Sequence, residues 1–157
     1  IPETGIITLD VPSGPARVFT VVGYDTDGAR YMGGIATKDL SPGGSEIISI
    51  TMGDLPLMPS IMNILQFTYA QVEIEITDGT SYRVYRTRGY TQSEFNDGLL
   101  DTAAYYPIGM TTTATYNDLA LIALRYYRYR VSALNEYGES DIGGSSGGLD
   151  YYQYYHC

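Results

Sequence analysis

The run Tyr69-Ala70-Gln71-Val72-Glu73-Ile74-Glu75-Ile76 is followed by Thr77-Asp78-Gly79-Thr80 and then by Ser81-Tyr82-Arg83-Val84-Tyr85-Arg86. Val72, Ile74 and Ile76 alternate with Glu73 and Glu75, the period of two that belongs to a strand with one face in the core and one in water. Asp78-Gly79 supplies the residues that tolerate φ > 0 in a tight turn, so the stretch predicts a hairpin whose returning strand is Tyr82 to Arg88. On the C-terminal side Gly89 to Ala104 is looser, and Tyr105 to Thr112, Thr113 to Asn117 and Arg125 to Leu134 read as further strands. On the N-terminal side Ile61 to Phe67 is either a strand or a short helical turn, and Gly53 to Ser60 is an apolar connector.

The first 52 residues read as four short strands: Ile6 to Val11, Arg17 to Tyr24, Arg30 to Thr37 and Glu46 to Met52. Pro12-Ser13-Gly14-Pro15, Asp25-Thr26-Asp27-Gly28 and Leu40-Ser41-Pro42-Gly43-Gly44 are the turns between them. In the second strand Val18, Thr20 and Val22 lie on one face and Phe19, Val21 and Gly23 on the other, a pattern that predicts burial on both sides. Four strands in roughly 55 residues bury too little surface to offset chain entropy, so this module is expected to borrow a face or an edge from elsewhere.

Composition agrees with strands. The chain has 157 residues, 17 Tyr, 18 Gly and a single Lys, rich in strand and turn formers and poor in residues that fill surface helices. Its length allows one domain or two small ones. Eighteen acids against nine bases give a net charge of −9, a field opposed to nucleic acid and to anionic membranes. No apolar run approaches the roughly 20 residues that span a bilayer, so membrane insertion is not expected. The start at Ile1 reads as a processed segment, and the sortase-like Ile1-Pro2-Glu3-Thr4-Gly5 as coincidence. Low Lys, abundant Tyr, Thr and Gly, and almost no Cys are the composition of bacterial secreted and surface β-proteins, so the expected location is extracellular.

Residues 69 to 142 resemble a fibronectin type III domain of the bacterial extracellular kind. The segments that carry the likeness are Tyr82-Arg83-Val84-Tyr85-Arg86, similar to the family's third strand, and Thr115-Tyr116-Asn117-Asp118, similar to the end of its fifth. The most specific is Tyr127-Arg128-Tyr129-Arg130-Val131-Ser132-Ala133-Leu134-Asn135-Glu136-Tyr137-Gly138-Glu139-Ser140, similar to the sixth strand and the loop after it. Leu121 stands six residues before Tyr127, the spacing of a tyrosine corner, in which a Tyr hydroxyl bonds back to the backbone and pins a connection. The family's second-strand Trp and the Pro expected near Ala123 are missing, and Gly143-Gly144-Ser145-Ser146-Gly147-Gly148 separates the loop from the final strand. The first half more loosely resembles a repeat of bacterial surface lipoproteins, through Val11-Pro12-Ser13-Gly14, Phe19 to Asp25 and Asp39-Leu40-Ser41-Pro42-Gly43.

Few constellations carry chemistry. Asp25 and Asp27 place oxygen ligands at alternate positions, a weak calcium candidate that lacks the remaining ligands of a calcium loop and reads equally as a solvated turn. Glu73 and Glu75, about 7 Å apart on one strand face, read as solvated acids rather than a glycosidase pair. One His and one Cys, adjacent as His156 and Cys157, assemble no catalytic set and no zinc site, so neither an enzyme nor a cofactor is expected. An unpaired Cys157 points to an intermolecular bond, a processed end or an idle thiol.

Two features point to assembly. Residues 1–78 carry ten acids and three bases, whereas residues 79–157 carry eight acids and six bases. Arg83, Tyr85, Arg128 and Arg130, interleaved with Tyr126, are expected on one outer sheet face, as an interface for an acidic partner or as cross-strand pairs on a solvated sheet. Tyr151, Tyr152, Tyr154 and Tyr155 form a β-prone tail behind a Gly/Ser linker, and with Cys157 they are candidates for donating a strand to a neighbour; folded back, the tail is the missing last strand. The expectation is therefore an all-β protein of two small antiparallel Ig- or fibronectin-like sandwich modules, the first incomplete. Residues 1–60 form a four-stranded module, 61–142 the fibronectin-like sandwich, and 143–157 the linker and terminal strand. The expected role is an extracellular structural or adhesive subunit that self-assembles into a homo-oligomer or polymer, by strand exchange. The alternative is a glycan-binding accessory module in which exposed Tyr rings stack on sugars.

Overall fold

The β-branched and aromatic runs form strands and leave one short helix. The computed structural model describes residues 6–66, 69–99, 103–143 and 151–154. In chain order the strands are β1 (Gly14–Tyr24), β2 (Arg30–Leu40), β3 (Gly53–Asp54), β4 (Ile61–Gln66), β5 (Ala70–Ile74) and β6 (Ser81–Arg86). Helix α1 (Gln92–Asn96) comes next, then β7 (Tyr106–Thr111), β8 (Thr115–Asp118), β9 (Arg125–Asn135), β10 (Gly138–Glu139) and β11 (Tyr151–Tyr154). All pairings are antiparallel: β1-β2-β3 in one sheet, β4-β5-β8 in a second, and β7-β6-β9 in a third, where β10 and β11 pair opposite ends of the free side of β9. The protein is all-β and sandwich-like.

The core lies between the second and third sheets. Ile61, Ala70, Val72 and Ile74 come from β4 and β5, and Tyr82, Val84, Tyr127, Tyr129, Val131 and Ala133 from β6 and β9. Three of its largest side chains are Tyr, which a core accepts when each hydroxyl finds a partner. Tyr82 accepts from the Thr77 N–H at 2.9 Å, Tyr127 accepts from the Ile122 N–H at 2.8 Å, and Tyr129 donates to Asp118 at 2.8 Å.

Asp118 ties the two sheets together. It closes β8 in one sheet and meets the Arg86 guanidinium of β6 in the other at 2.6 Å, with side-chain exposures of 4% and 17%. Its second oxygen accepts the Ala120 N–H, while Arg86 also donates to the Ala120 carbonyl and lies 4.9 Å from the centre of the Tyr127 ring. Burial, then the Asp118 charge, push the Tyr129 hydroxyl above its ordinary range, so it stays protonated and remains a donor.

The stretch that announces strands so clearly does not make the expected hairpin. β5 pairs β4 and β8, whereas β6 pairs β7 and β9, so Thr77-Asp78-Gly79-Thr80 crosses from one sheet to the other. The turn residues are committed to distant partners: Asp78 accepts the Leu57 N–H at 2.7 Å, and the Thr80 N–H bonds to the Leu134 carbonyl at 2.7 Å. A tight hairpin would break both. The crossover also leaves Ile76 outside β5 and 55% exposed instead of in the core.

The N-terminal meander is likewise different. Two of the four expected strands form, and they are longer than expected; residues 6–13 and 44–52 are not strands. The second half of this region crosses one face of the hairpin instead, with Ile50, Thr51 and Met52 against Gly34 and a Lys38–Glu46 ion pair of 3.3 Å. Burial on both faces of β1 does not occur, since no residue of β1 is buried. Ile61 to Phe67, ambiguous in sequence, is a strand over the residues of β4, and the loose stretch after Gly89 contains α1.

Removing one partner of a buried ion pair strands the other charge, at a cost of about 3–5 kcal/mol. Asp118→Ala is therefore expected to lower stability by about that amount in urea unfolding, and the double substitution Arg86→Met/Asp118→Leu to recover most of the loss.

Candidate interaction site

Alternation along β6 and β9 sends Tyr82, Val84, Tyr127, Tyr129 and Val131 inward and their neighbours outward. The register sets Arg83 opposite Ser132 and Tyr85 opposite Arg130, so the outward row of Arg and Tyr expected from sequence shares one sheet face. Its acid comes from the same module. Glu139, on β10, accepts from the Arg83 guanidinium, the Tyr85 hydroxyl and the Ser132 hydroxyl. Arg130 lies over the Tyr105 ring at 4.6 Å, and Arg128 is half-buried where β11 pairs β9.

Tyr126 is not an exposed interface ring. It is buried, stacks on Phe95 of α1 with centroids 4.2 Å apart and 10° between planes, and donates its hydroxyl to Gln92. Together with Tyr90, Phe95 and Ala103 it forms a second small core under the helix. The signal was present in the sequence: Thr91-Gln92-Ser93-Glu94 is a capping box, in which Thr91 caps the Glu94 N–H and Glu94 reaches back to the Thr91 N–H at 2.8 Å. Arg88 pairs with Glu94 at 2.7 Å and sits 3.9 Å over the Tyr90 ring.

Tyr127 makes the tyrosine-corner bond to Ile122, and Leu121 packs against the main core. An equivalent bond from Tyr82 to Thr77, also five residues back, holds the crossover between the sheets and was not foreseen. Asp25 turns its carboxylate onto the N–H groups of Asp27 and Ala29 at 2.9 and 2.8 Å, so it closes the β1-β2 turn. Among the described residues no group of three or more His, Cys, Asp or Glu could hold a metal ion. Glu75 accepts from Ser60. Tyr151, Tyr152 and Tyr154 belong to β11, whose backbone pairs Arg125 to Arg128 of the same chain; Tyr155 and Cys157 lie outside the described residues. Among the described residues no helix is long and apolar enough to cross a membrane.

The β1-β2 hairpin is mounted on the sandwich at one end. The Tyr137 ring fills the space where Gly53 would carry a Cβ, the Tyr137 carbonyl and Leu55 crowd Gly33, and Asn135 donates to the Asp54 carbonyl at 2.9 Å. Arg30 binds Asp141 through its backbone N–H at 3.0 Å and its side chain at 3.5 Å. The charges are reversed relative to the expectation: here the first half supplies the base and the second half the acid. A cleft of about 280 Å³ separates the two bodies, lined by Thr20, Val22 and Ile35 on one side and Arg83, Leu134 and Tyr137 on the other.

Beyond the cleft the hairpin face is uncovered. Val18 is 64% exposed, Ile35 at the lip of the cleft is 47% exposed, and Tyr24 and Tyr31 are exposed near the turn. Residues 6–11, ahead of β1, are also exposed and contribute Ile6, Ile7, Leu9 and Val11. Scattered apolar residues on a surface are ordinary, but here they gather on a hairpin whose β1 strand has no buried residue.

The class these features define is an all-β, sandwich-like protein with a projecting apolar hairpin. No protein-family model matches the chain, and no curated protein matches it.

Two outcomes follow from the geometry. The Arg88 guanidinium foremost, then the Thr91 N–H and hydroxyl, hold the Glu94 carboxyl at about 2, against an ordinary 4.5. Its stabilisation of α1 is thus complete above the ordinary value and lost as pH falls toward 2. NMR titration of Glu94 should show that low midpoint, and Arg88→Ala should raise it. Gly53→Ala would put a Cβ 2.5 Å from the Tyr137 ring, so it should destabilise by about 1–3 kcal/mol and speed amide exchange at β3.

Proposed function

We propose that the protein is an extracellular structural subunit that self-assembles into a filament or adhesive layer, with its N-terminal hairpin as the assembly surface. The observation that carries this reading is the apolar face of β1 and β2, where Val18 is 64% exposed, Ile35 at the cleft is 47% exposed and no residue of β1 is buried. A monomer loses the burial of that face, whereas contact with another copy recovers it at about 25 cal/mol per Å². Charge favours the same surface. Residues 14–40 carry three acids and three bases, so the hairpin is neutral in a chain of net charge −9, and copies that meet there avoid most of their mutual repulsion.

The reading of residues 61–142 as fibronectin type III-like is supported by the strand partition. Counting from β4, the first, second and fifth strands share one sheet and the third, fourth, sixth and last the other, which is how such a sandwich divides its strands. The Tyr127 corner supports it as well. Such modules serve as rigid spacers, which suits a subunit whose binding element projects from one end. Extracellular placement rests on composition, chiefly the 17 Tyr and single Lys.

Sedimentation velocity and negative-stain microscopy of the whole chain test the proposal. Concentration-dependent assembly into elongated particles is expected. Val18→Lys with Ile35→Lys, with an unfolding temperature that matches the wild type as the control for an intact monomer, should raise the concentration of half-assembly by about tenfold or more. A wild-type chain that stays monomeric into the millimolar range, or a double variant that assembles unchanged, overturns it.

A further inference from the structure

Among the described residues, two elements of the N-terminal region lack strand partners, and each has what the other needs. The first is the edge of β1. In the sheet β1-β2-β3 this strand pairs only β2, and its pairing is regular from Arg17 opposite Lys38 to Gly23 opposite Met32, which leaves a straight edge of seven residues unpaired on its other side. Exposed edges of this kind are templates for another strand. The second is Ile6-Ile7-Thr8-Leu9-Asp10-Val11. It has strand composition and strand alternation, with Ile7, Leu9 and Val11 on one side and Thr8 and Asp10 on the other, yet it belongs to no strand, and Ile7 and Leu9 are 79% and 68% exposed.

The two elements are adjacent in sequence, but pairing within one chain is obstructed. A tight turn at Pro12-Ser13 would bring Val11, Asp10 and Leu9 against Gly14, Pro15 and Ala16. Pro15 has no N–H to give, the Ala16 N–H is committed to Asp39 at 2.7 Å, and Ala16 sits at φ 48° in an irregularity of the β1-β2 register. Arg17 reinforces this corner, donating to the Ser13 carbonyl at 2.7 Å and filling the space beside Gly14. A wider turn through residues 12–16 would strip Gly14 from Leu40 and Ala16 from Asp39. A donor from another copy needs no turn and can lie along Arg17–Gly23 without disturbing that corner.

Resting on the reading of the protein as a self-assembling subunit, we propose that Ile6–Val11 of one copy adds as a β-strand to the β1 edge, Arg17–Gly23, of a second copy. Six donor residues match a seven-residue edge. The added strand sets its Ile7-Leu9-Val11 row beside the exposed apolar residues of β1, and its one charge, Asp10, enters a neutral hairpin that includes Arg17 and Lys38. Main-chain hydrogen bonds supply affinity and the alternating side chains supply register, as in other strand additions. Because each copy carries both a donor and an acceptor, head-to-tail repetition without closure extends a filament.

The test is sedimentation velocity of the full-length Ile7→Pro/Leu9→Pro variant beside the wild type. Both positions are exposed and outside any strand, so the variant monomer is expected to unfold at the wild-type temperature, while Pro removes two N–H groups from the donor. Its half-assembly concentration should rise by about tenfold or more, and excess synthetic peptide of residues 6–11 should dissociate wild-type assemblies. In a Cys157→Ser background, a Leu9→Cys chain mixed with a Val21→Cys chain should form a disulfide-linked heterodimer on oxidation. A proline variant that assembles like wild type overturns the strand addition and leaves self-assembly to another surface. A monomeric wild type overturns both readings. A closed dimer that the proline variant abolishes supports the strand addition and removes the filament.

Discussion

The ion pair between Asp118 and Arg86, capped by the Tyr129 hydroxyl, is the contact on which the sandwich is organised. It is one of the few polar contacts between sheets that otherwise meet through apolar side chains, and its burial makes its geometry strict: an unpaired charge there would cost several kcal/mol. Its consequences run along the chain. Asp118 holds the Ala120 N–H and Arg86 the Ala120 carbonyl, which fixes the path out of β8. That path leads to Ile122, where Tyr127 bonds back, and to Leu124, held at φ 58° as the chain turns into β9. A non-glycine residue is placed at positive φ only where its surroundings determine it, and here the clasp on one side and the tyrosine corner on the other do so. The direction of β9 follows, and with it the outer row on which Glu139 gathers Arg83, Tyr85 and Ser132.

That outer row sets how the hairpin is carried. Past β9 the chain turns at Tyr137, whose ring and carbonyl occupy the space left by Gly53 and Gly33, and continues to Asp141, which holds Arg30. Glycine is required at both positions because a Cβ would collide with Tyr137 or Leu55, so the attachment depends on close backbone approach more than on charge. Both Arg30 and Asp141 are about 40% exposed, and a pair so wet contributes at most about 1 kcal/mol. The mount grips the turn end of the hairpin and β3; the far end, from Val18 to Gly14, extends beyond it.

Strand content is legible wherever alternation is strong, as in β5, β6 and β9, and the Tyr127 corner is legible from its spacing to Leu121. Pairing was less legible, because it depends on contacts remote in sequence. Thr77-Asp78-Gly79-Thr80 has hairpin chemistry, but Leu57, Tyr82 and Leu134 claim its polar groups and turn it into a crossover. The same limit explains Tyr126. Its position on the outward row of β9 is what alternation dictates; its burial depends on α1, whose capping box at Thr91 and Glu94 was overlooked in a stretch otherwise poor in periodicity. The outward row of Arg83, Tyr85, Arg128 and Arg130 follows from alternation, whereas the acid that Arg83 meets, Glu139, is set by the pairing of β10 with β9, which charge totals over half a chain do not locate.

The Tyr excess illustrates how a compositional signal divides once positions are known. Tyr82, Tyr127 and Tyr129 serve the core, each with a bonded hydroxyl, and Tyr90 and Tyr126 serve the patch under α1. Tyr137 plugs the hairpin mount, and β11 uses its backbone to cover the start of β9. These uses are internal to the chain. At the other end the sequence is aliphatic, and among the described residues it leaves an edge of β1 without a partner and a β-prone segment without a strand. A module this small cannot fill both from its own residues, because the corner at Pro12 to Ala16 that anchors β1 to β2 also keeps the segment from folding back. The corner that stabilises the hairpin is thus also what leaves the β1 edge without a partner among the described residues.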